Sequence, residues 1–297
     1  MPLSAVRVHE DWRNRARIAR EKEQRALRRT LLLVLATVFL VRGVAFLETD
    51  HLARVHVTEA VAGTVYLIAG VMFLQGVETP RRRLTLWGIT LLVGGTVIHL
   101  FFVLRRTDTG VASLALGGTL PVVFLGWSFL LINVWRARRW PITRDRLASA
   151  IGWGLIGGMA GGLAVLVWAL SASFSALFFS PSAFTLLFWQ RFLVNVGLLS
   201  VGEEFLFRGV LFHLLYRRFD VNFWPATVVA LFVNGAFYAV QMVFLFNAPD
   251  RAVLFLLGPL LIIIINCALY AWAGNLLSPL VSHVVFRAVS LILGLAG

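Results

Sequence analysis

Two adjacent glutamates and an arginine stand in the middle of an apolar stretch of this chain. They are Glu203, Glu204 and Arg208, within a hydrophobic run that covers about 188–216. Placing an ionisable side chain at the centre of a lipid bilayer costs roughly 2.5 kcal/mol or more, so such groups usually face a polar interior and mark a functional site. This segment is therefore the first candidate for chemistry in the sequence.

The spacing of the three charges gives the two acids different surroundings. Glu204 and Arg208 are four residues apart, so on a helix they lie on one face and can form an ion pair. Glu203 is rotated by about 100° from Glu204 and has no evident partner on its own helix. A carboxylate in a dry pocket is suited to activating a water molecule as a general base. The alternative is a structural ion cluster that fixes helix packing.

The composition indicates which elements must position these groups. The 297 residues are 59% hydrophobic and 14% charged, and the mean hydropathy is +0.85. Several apolar runs of about 18 residues or more are typical of a polytopic membrane protein. We therefore expect an all-α fold, a membrane bundle of about eight to nine transmembrane helices. One predicted span, about 151–170, is rich in glycine, which lets helices approach closely in lipid.

The predicted spans divide the chain into three parts. Residues 1–30 form a basic cytoplasmic segment, residues 31–148 the N-terminal transmembrane helices, and residues 149–297 the transmembrane helices around the acidic pair. Nine candidate spans cover about 31–47, 58–75, 84–104, 111–135, 151–170, 188–216, 225–246, 252–273 and 276–295. Length alone also allows eight spans with one re-entrant segment.

The formal net charge of +13 is concentrated outside the predicted spans. If every span crosses, the basic loops 78–83, 136–146 and 217–218 lie on the same side as the N-terminus, and the positive-inside rule makes that side cytoplasmic. The charge thus indicates orientation and contact with membrane lipid. It does not indicate a nucleic-acid partner, since no aromatic stacking platforms are interleaved with the arginines. Lys22 is the only lysine, which favours a bacterial origin and hence the inner (cytoplasmic) membrane.

Two stretches and the aromatic segment between them resemble a known family. The first is Glu-Glu-x-x-x-Arg-Gly, from Glu203 to Gly209, and the second is the approach to His283 near the start of the last predicted span. Over about 185–295 the chain is similar to the CPBP family, the CAAX-protease and bacteriocin-processing (ABI) intramembrane endopeptidases. The resemblance implies a catalytic core with Glu203 as the base and His283 as its partner.

The later motifs depart from the family patterns Phe-x-x-x-His and His-x-x-x-Asn. Depending on the alignment, Tyr238 or Gln241 stands in place of the first of these histidines, and Arg287 stands in place of the asparagine. We expect Arg287, with Tyr238 or Gln241, to stabilise the oxyanion of a tetrahedral intermediate. The same departures support an alternative, a catalytically silent relative that binds membrane peptides as an immunity or chaperone factor.

The sequence leaves open whether a metal takes part. A divalent metal such as zinc normally takes three or more protein ligands, and Glu203, Glu204 and His283 can supply them. With two arginines expected nearby, we favour a metal-free, glutamic-type mechanism without a cofactor. The prediction is an intramembrane endopeptidase that cleaves a membrane-associated peptide, a leader or a C-terminal sorting tail. The predicted catalytic set is Glu203, Glu204, Arg208, Tyr238, Gln241, His283 and Arg287.

Overall fold

The computed structural model describes most of the chain after residue 50. The described residues are 17, 18, 21, 24, 25, 32, 51–75, 82–105, 119, 121–132, 144–171, 192–245 and 249–292. All regular secondary structure among them is helical, which confirms the all-α fold class. The first predicted span, about 31–47, lies outside the described residues apart from Leu32, as does most of the N-terminal basic segment.

Eight helices follow one another in the described part of the chain, and they overlap the last eight predicted spans. Their bounds are α1 His51–Gln75, α2 Arg82–Arg105, α3 Pro121–Ile132, α4 Arg144–Ser171, α5 193–218, α6 Phe223–Leu245, α7 Pro249–Ala273 and α8 Leu277–Ile292. By length and composition, one described helix is able to cross a membrane, Arg146–Val167 within α4, whereas the other apolar helices are shorter. The number of crossings, the re-entrant alternative and the division near residue 148 stay predictions.

Helix α5, which carries the acidic pair, is wound more widely than an α-helix over most of its length. Turns of the π type cover Leu193–Leu199, Glu204–Phe212 and Leu214–Arg218, and one α-helical turn, Ser200–Glu203, lies among them. Such turns are rare and occur frequently at functional sites. Glu203 ends the α-helical turn, and Glu204 begins the next π-type segment. The rotation per residue of a regular α-helix therefore does not continue beyond Glu203.

Helix α5 is the centre of the bundle. All residues from 201 to 212 are buried, so this helix has no outward-facing side there. Helix α1 packs so closely against α5 that the two backbones are in contact. A Cβ atom added to Gly63 would lie 2.8 Å from the Leu199 backbone, and one added to Gly202 would lie 2.6 Å from the Gly63 oxygen. Small residues at both positions are therefore what permits this approach.

Helix α8 is held against α4 by a second close contact. A Cβ on Gly154 would lie 2.7 Å from the backbone oxygen of Ser278, and one on Gly158 would lie 2.5 Å from that of Ser282. The expectation that the glycine-rich span allows close helix packing is confirmed. The contact matters for the site because α8 carries His283 and Arg287.

The turn between α7 and α8 is specified by its own residues. Gly274 has φ +65°, in the left-handed region that favours glycine, and its N–H donates to the carbonyl of Tyr270 at 2.9 Å. Asn275 then accepts bonds from the backbone N–H groups of Leu277 and Ser278, at 3.0 and 3.3 Å, and caps the start of α8. These bonds fix where α8 begins, less than two turns before His283.

Candidate active site

The Glu203 carboxylate is fully buried, and its two oxygens have different surroundings. Tyr238 on α6 donates a hydrogen bond to Oε1 at 2.5 Å. Arg287 on α8 in turn donates to the Tyr238 hydroxyl, and its Nη2 atom lies 3.9 Å from the same Glu203 oxygen. Oε2 has no hydrogen-bond partner among the described residues. One oxygen of Glu203 is thus held in place by Tyr238, and the other can accept a hydrogen bond from a further molecule.

Glu204 is held more tightly than its neighbour. Its Oε1 atom accepts hydrogen bonds from Asn266 at 2.8 Å and from His283 at 2.6 Å. The Nη1 atom of Arg208 lies 3.3 Å from the same oxygen, which is the pairing that the four-residue spacing predicts. Since the Arg208 side chain is fully buried, this ion pair compensates both charges away from solvent.

His283 lies between the two acids. Its Nδ1 atom is 2.6 Å from Glu204 Oε1, and its Nε2 atom is 3.6 Å from Glu203 Oε2. An ionised carboxylate only accepts hydrogen bonds, so the hydrogen-bonded Nδ1 carries a hydrogen, and in a singly protonated ring Nε2 is then an acceptor. Neither Nε2 nor Glu203 Oε2 has a hydrogen-bond partner among the described residues. Both atoms can therefore bind the same small polar molecule.

Six of the seven predicted residues form one connected polar cluster. Tyr238 belongs to it, but it donates its hydrogen to Glu203, so in this arrangement it orients the base instead of facing an oxyanion. The backbone of Gln241 lies on α6, one turn after Tyr238, whereas its side chain is outside the described residues. The role of Gln241 stays a prediction.

Further buried polar side chains lie on the same helices or on α1, and one of them bonds to the cluster directly. Asn266 on α7 is not among the predicted site residues, although it donates directly to Glu204. Glu59 on α1 and Asn195 on α5 are buried and hydrogen-bonded to each other at 2.6 Å. Asn234, one turn before Tyr238, is fully buried with neither amide atom bonded to a described residue. A polar side chain inside an apolar span was the available signal for each of them.

The metal-free mechanism stays a prediction. In the part of the chain that the structure describes, no group of three or more His, Cys, Asp or Glu side chains is placed to hold a metal ion. Arg208 and Arg287 flank the carboxylates, and their charges would oppose a divalent cation at the same place.

The part of the chain that carries the site is similar to a known family. Residues 184–289 match the family model described as type II CAAX prenyl endopeptidase Rce1-like. The resemblance to the CPBP family is confirmed. The Rce1-like match runs from ahead of α5 into α8, so it contains the acidic pair and His283 and leaves out α1 to α4. The family indicates a CAAX-type membrane protease that acts on a peptide or protein at the membrane. No curated protein and no solved structure matches the chain significantly.

Proposed function

We propose that this chain is an intramembrane endopeptidase in which Glu203 is the general base and His283 holds the attacking water. The observation that carries the proposal is the pair of buried atoms Glu203 Oε2 and His283 Nε2, which lie 3.6 Å apart. A general base has to lie within hydrogen-bond distance of the proton that it removes. One water between these atoms would donate one hydrogen to each of them.

The proposed reaction needs no further reactant. As the water oxygen attacks the peptide carbonyl carbon, one proton passes to Glu203 and the carbonyl electron pair moves onto oxygen. The tetrahedral intermediate then collapses, the C–N bond breaks, and Glu203 returns the proton to the departing amine. The products are a carboxylate-ended fragment and an amine-ended fragment.

Two buried donors on α6 and α8 have no partner among the described residues and are proposed for the oxyanion. The Nε atom of Arg287 and the amide of Asn234 make no hydrogen bond to any described residue. Preorganised donors in a buried site stabilise the charge that develops in the transition state. We assign this role to Arg287, in place of the family's asparagine, with Asn234 as a second donor from α6. Tyr238 orients the base.

Glu204 is proposed to act through His283. A carboxylate that accepts from Nδ1 fixes the tautomer and the orientation of an imidazole ring. Arg208 and Asn266 hold Glu204 at Oε1, the oxygen that also faces His283. The second acid is therefore a positioning residue, whereas the first is a catalytic one.

The surface of the bundle supports a membrane location. Large apolar side chains are widely exposed, among them Phe232 at 79%, Trp224 at 66% and Val167 at 64%. Exposed apolar surface of this kind fits contact with lipid tails. We propose a bacterial inner-membrane protein of about nine spans with a cytoplasmic N-terminus. Reagent labelling from outside the cell of a cysteine introduced at Arg139 would contradict that orientation.

The proposed substrate is a membrane-associated peptide, either a leader or a C-terminal sorting tail. A silent peptide-binding relative is the second candidate, and it is favoured by the tyrosine and the arginine that replace two family residues. A fluorogenic farnesylated CAAX peptide and a membrane-anchored sorting-tail peptide, each incubated with purified protein, separate the two functions. Cleavage that requires Glu203 and persists with a zinc chelator supports the glutamic protease. Binding of both peptides without cleavage supports the silent relative.

A further inference from the structure

Each member of the proposed catalytic pair follows a residue that is pressed against an outer helix. Gly202 precedes Glu203, and Ser282 precedes His283. A Cβ atom added to Gly202 would lie 2.6 Å from the backbone oxygen of Gly63 on α1. The backbone oxygen of Ser282 meets a glycine of α4 with equally little space between them. Glu203 and His283 are therefore supported by different helices.

The contact between α1 and α5 continues on both sides of the acids. Ahead of them, a Cβ atom added to Gly63 would lie 2.8 Å from the Leu199 backbone. Just after them, a Cβ atom added to Gly70 would lie 2.7 Å from the Cβ atom of Phe205 and 2.9 Å from its carbonyl carbon. The contacts advance together along both helices, so α1 and α5 run side by side in the same direction. Such close packing before and after Glu203 leaves its backbone little freedom to shift.

The distance across the catalytic pair depends on both supports. Glu203 Oε2 lies 3.6 Å from His283 Nε2, and both side chains are buried. Because α8 packs against α4, a displacement of α5 at the α1 contact shifts Glu203 relative to His283. Misplacement of a catalytic group by about 1 Å can lower a rate by roughly 100-fold. The contact of α1 with α5 therefore bears directly on the proposed chemistry.

We propose that α1 is part of the catalytic unit, with Gly63 and Gly70 as positioning residues that hold Glu203 through their contacts with α5. The inference rests on the proposed function and goes beyond the family-matched segment 184–289, which leaves α1 out. Leu199 immediately precedes the α-helical turn Ser200–Glu203. A methyl group at Gly63 would therefore displace the start of the turn that ends at Glu203.

The test uses three glycine-to-alanine variants of the purified full-length chain. Gly63→Ala and Gly70→Ala each add one methyl group against α5, and both are made so that the test does not depend on the folding of one variant. Gly126→Ala is the matched control. Its Cβ atom would lie 2.4 Å from the backbone nitrogen of Leu92, so it overpacks the contact between α3 and α2, and its nearest neighbours belong to α2.

The first measurement is the cleavage of a membrane-anchored sorting-tail peptide, at a temperature where the compared proteins are folded. We expect the α1 variants to lower kcat by about 10- to 100-fold with little change in KM, because the base is misplaced while the peptide still binds. Gly126→Ala should keep the kcat of wild type. Wild-type kcat in the folded α1 variants overturns the proposal. So does an equal fall in kcat for Gly126→Ala, which would indicate a general effect of overpacking.

The second measurement is a double-mutant cycle in thermal unfolding, which does not depend on cleavage. Tyr238→Phe removes the 2.5 Å hydrogen bond from α6 to Glu203. If α1 holds Glu203 in place for this bond, Tyr238→Phe should shift the unfolding midpoint less in the Gly63→Ala background than in wild type. In the Gly126→Ala background the shift should equal that in wild type. Additive shifts in the Gly63→Ala background overturn the proposal, whereas full activity of Glu203→Gln overturns only the protease function.

Discussion

His283 donates through Nδ1 to Glu204 at 2.6 Å, so its other nitrogen faces the neighbouring acid. This bond gives two consecutive glutamates different roles. Asn266, Arg208 and the imidazole all contact Glu204 at Oε1. Glu203 Oε1 instead meets Tyr238 and Arg287, and the Oε2 atom of each acid has no hydrogen-bond partner among the described residues. Two acids of identical chemistry thus differ in role because of what surrounds each of them.

Substitution of Glu204 is predicted to cost more stability than substitution of Glu203. Glu204→Gln leaves the guanidinium of Arg208 buried without an opposite charge, and breaking a buried pair in this way costs about 3–5 kcal/mol. Glu203→Gln removes a longer pairing, since Arg287 lies 3.9 Å from Oε1 and keeps its hydrogen bond to Tyr238. Thermal unfolding of both variants in the same detergent checks the difference. Equal unfolding midpoints would show that the Glu204–Arg208 pair does not compensate the buried charge.

The hydroxyl of Tyr238 is predicted to matter for rate more than for folding. Tyr238→Phe removes the hydrogen bond to Glu203 and keeps the ring, over which the Arg287 guanidinium lies 5.1 Å from the centroid. Hydrogen bonds to charged groups contribute about 1.5–3 kcal/mol, so we expect roughly a tenfold loss of kcat or more. Tyr270→Phe, which loses a bond to His213 away from the acids, is the control and should leave kcat unchanged. Equal rates for Tyr238→Phe and wild type would exclude Tyr238 from orienting the base.

Arg287 is predicted to tolerate asparagine better than leucine. Arg287→Asn restores the family residue and a hydrogen-bond donor, so activity should stay substantially intact. Arg287→Leu removes the donor and should cost about 3 kcal/mol of transition-state stabilisation. Comparing kcat/KM of the two variants measures this. Similar losses in both would mean that the charge, rather than a donor to the oxyanion, is what the site requires.

A methyl group between α4 and α8 is predicted to displace the catalytic histidine. The Cβ of Gly158→Ala would lie 2.5 Å from the backbone oxygen of Ser282, next to His283, so α8 has to shift. Overpacking of this kind typically costs about 1–3 kcal/mol. Gly152→Ala on the same helix meets nothing within 4 Å and should be neutral or slightly stabilising. Unfolding midpoints and rates of the two variants are the measurement; indistinguishable behaviour would contradict the close contact.

The sequence predicted the features that depend on residues close to one another in the chain. Apolar runs located the helices, and the spacing of Glu204 and Arg208 predicted their pair because both residues share one helix. The family resemblance pairs His283 with Glu203, whereas the direct hydrogen bond of the imidazole is to Glu204, 79 residues away, and nothing in the sequence distinguishes the two acids as its hydrogen-bond partner. The same holds for Tyr238 and Glu203, which are 35 residues apart. The wide turns of α5 have no sequence signal that separates them from an ordinary apolar helix.

The most direct test of the account is the processing rate of Glu203→Gln. The substitution keeps the size of the side chain and its capacity for hydrogen bonding, including the bond from Tyr238, and removes only the basicity. Uncleaved membrane-peptide precursor is quantified in cells that carry wild type or the variant at matched protein levels. A positioned base contributes about 100- to 10,000-fold, so the account predicts precursor accumulation and a residual rate below about a hundredth of wild type. A rate above roughly a tenth, with the protein folded, would contradict the assignment of Glu203 as the base.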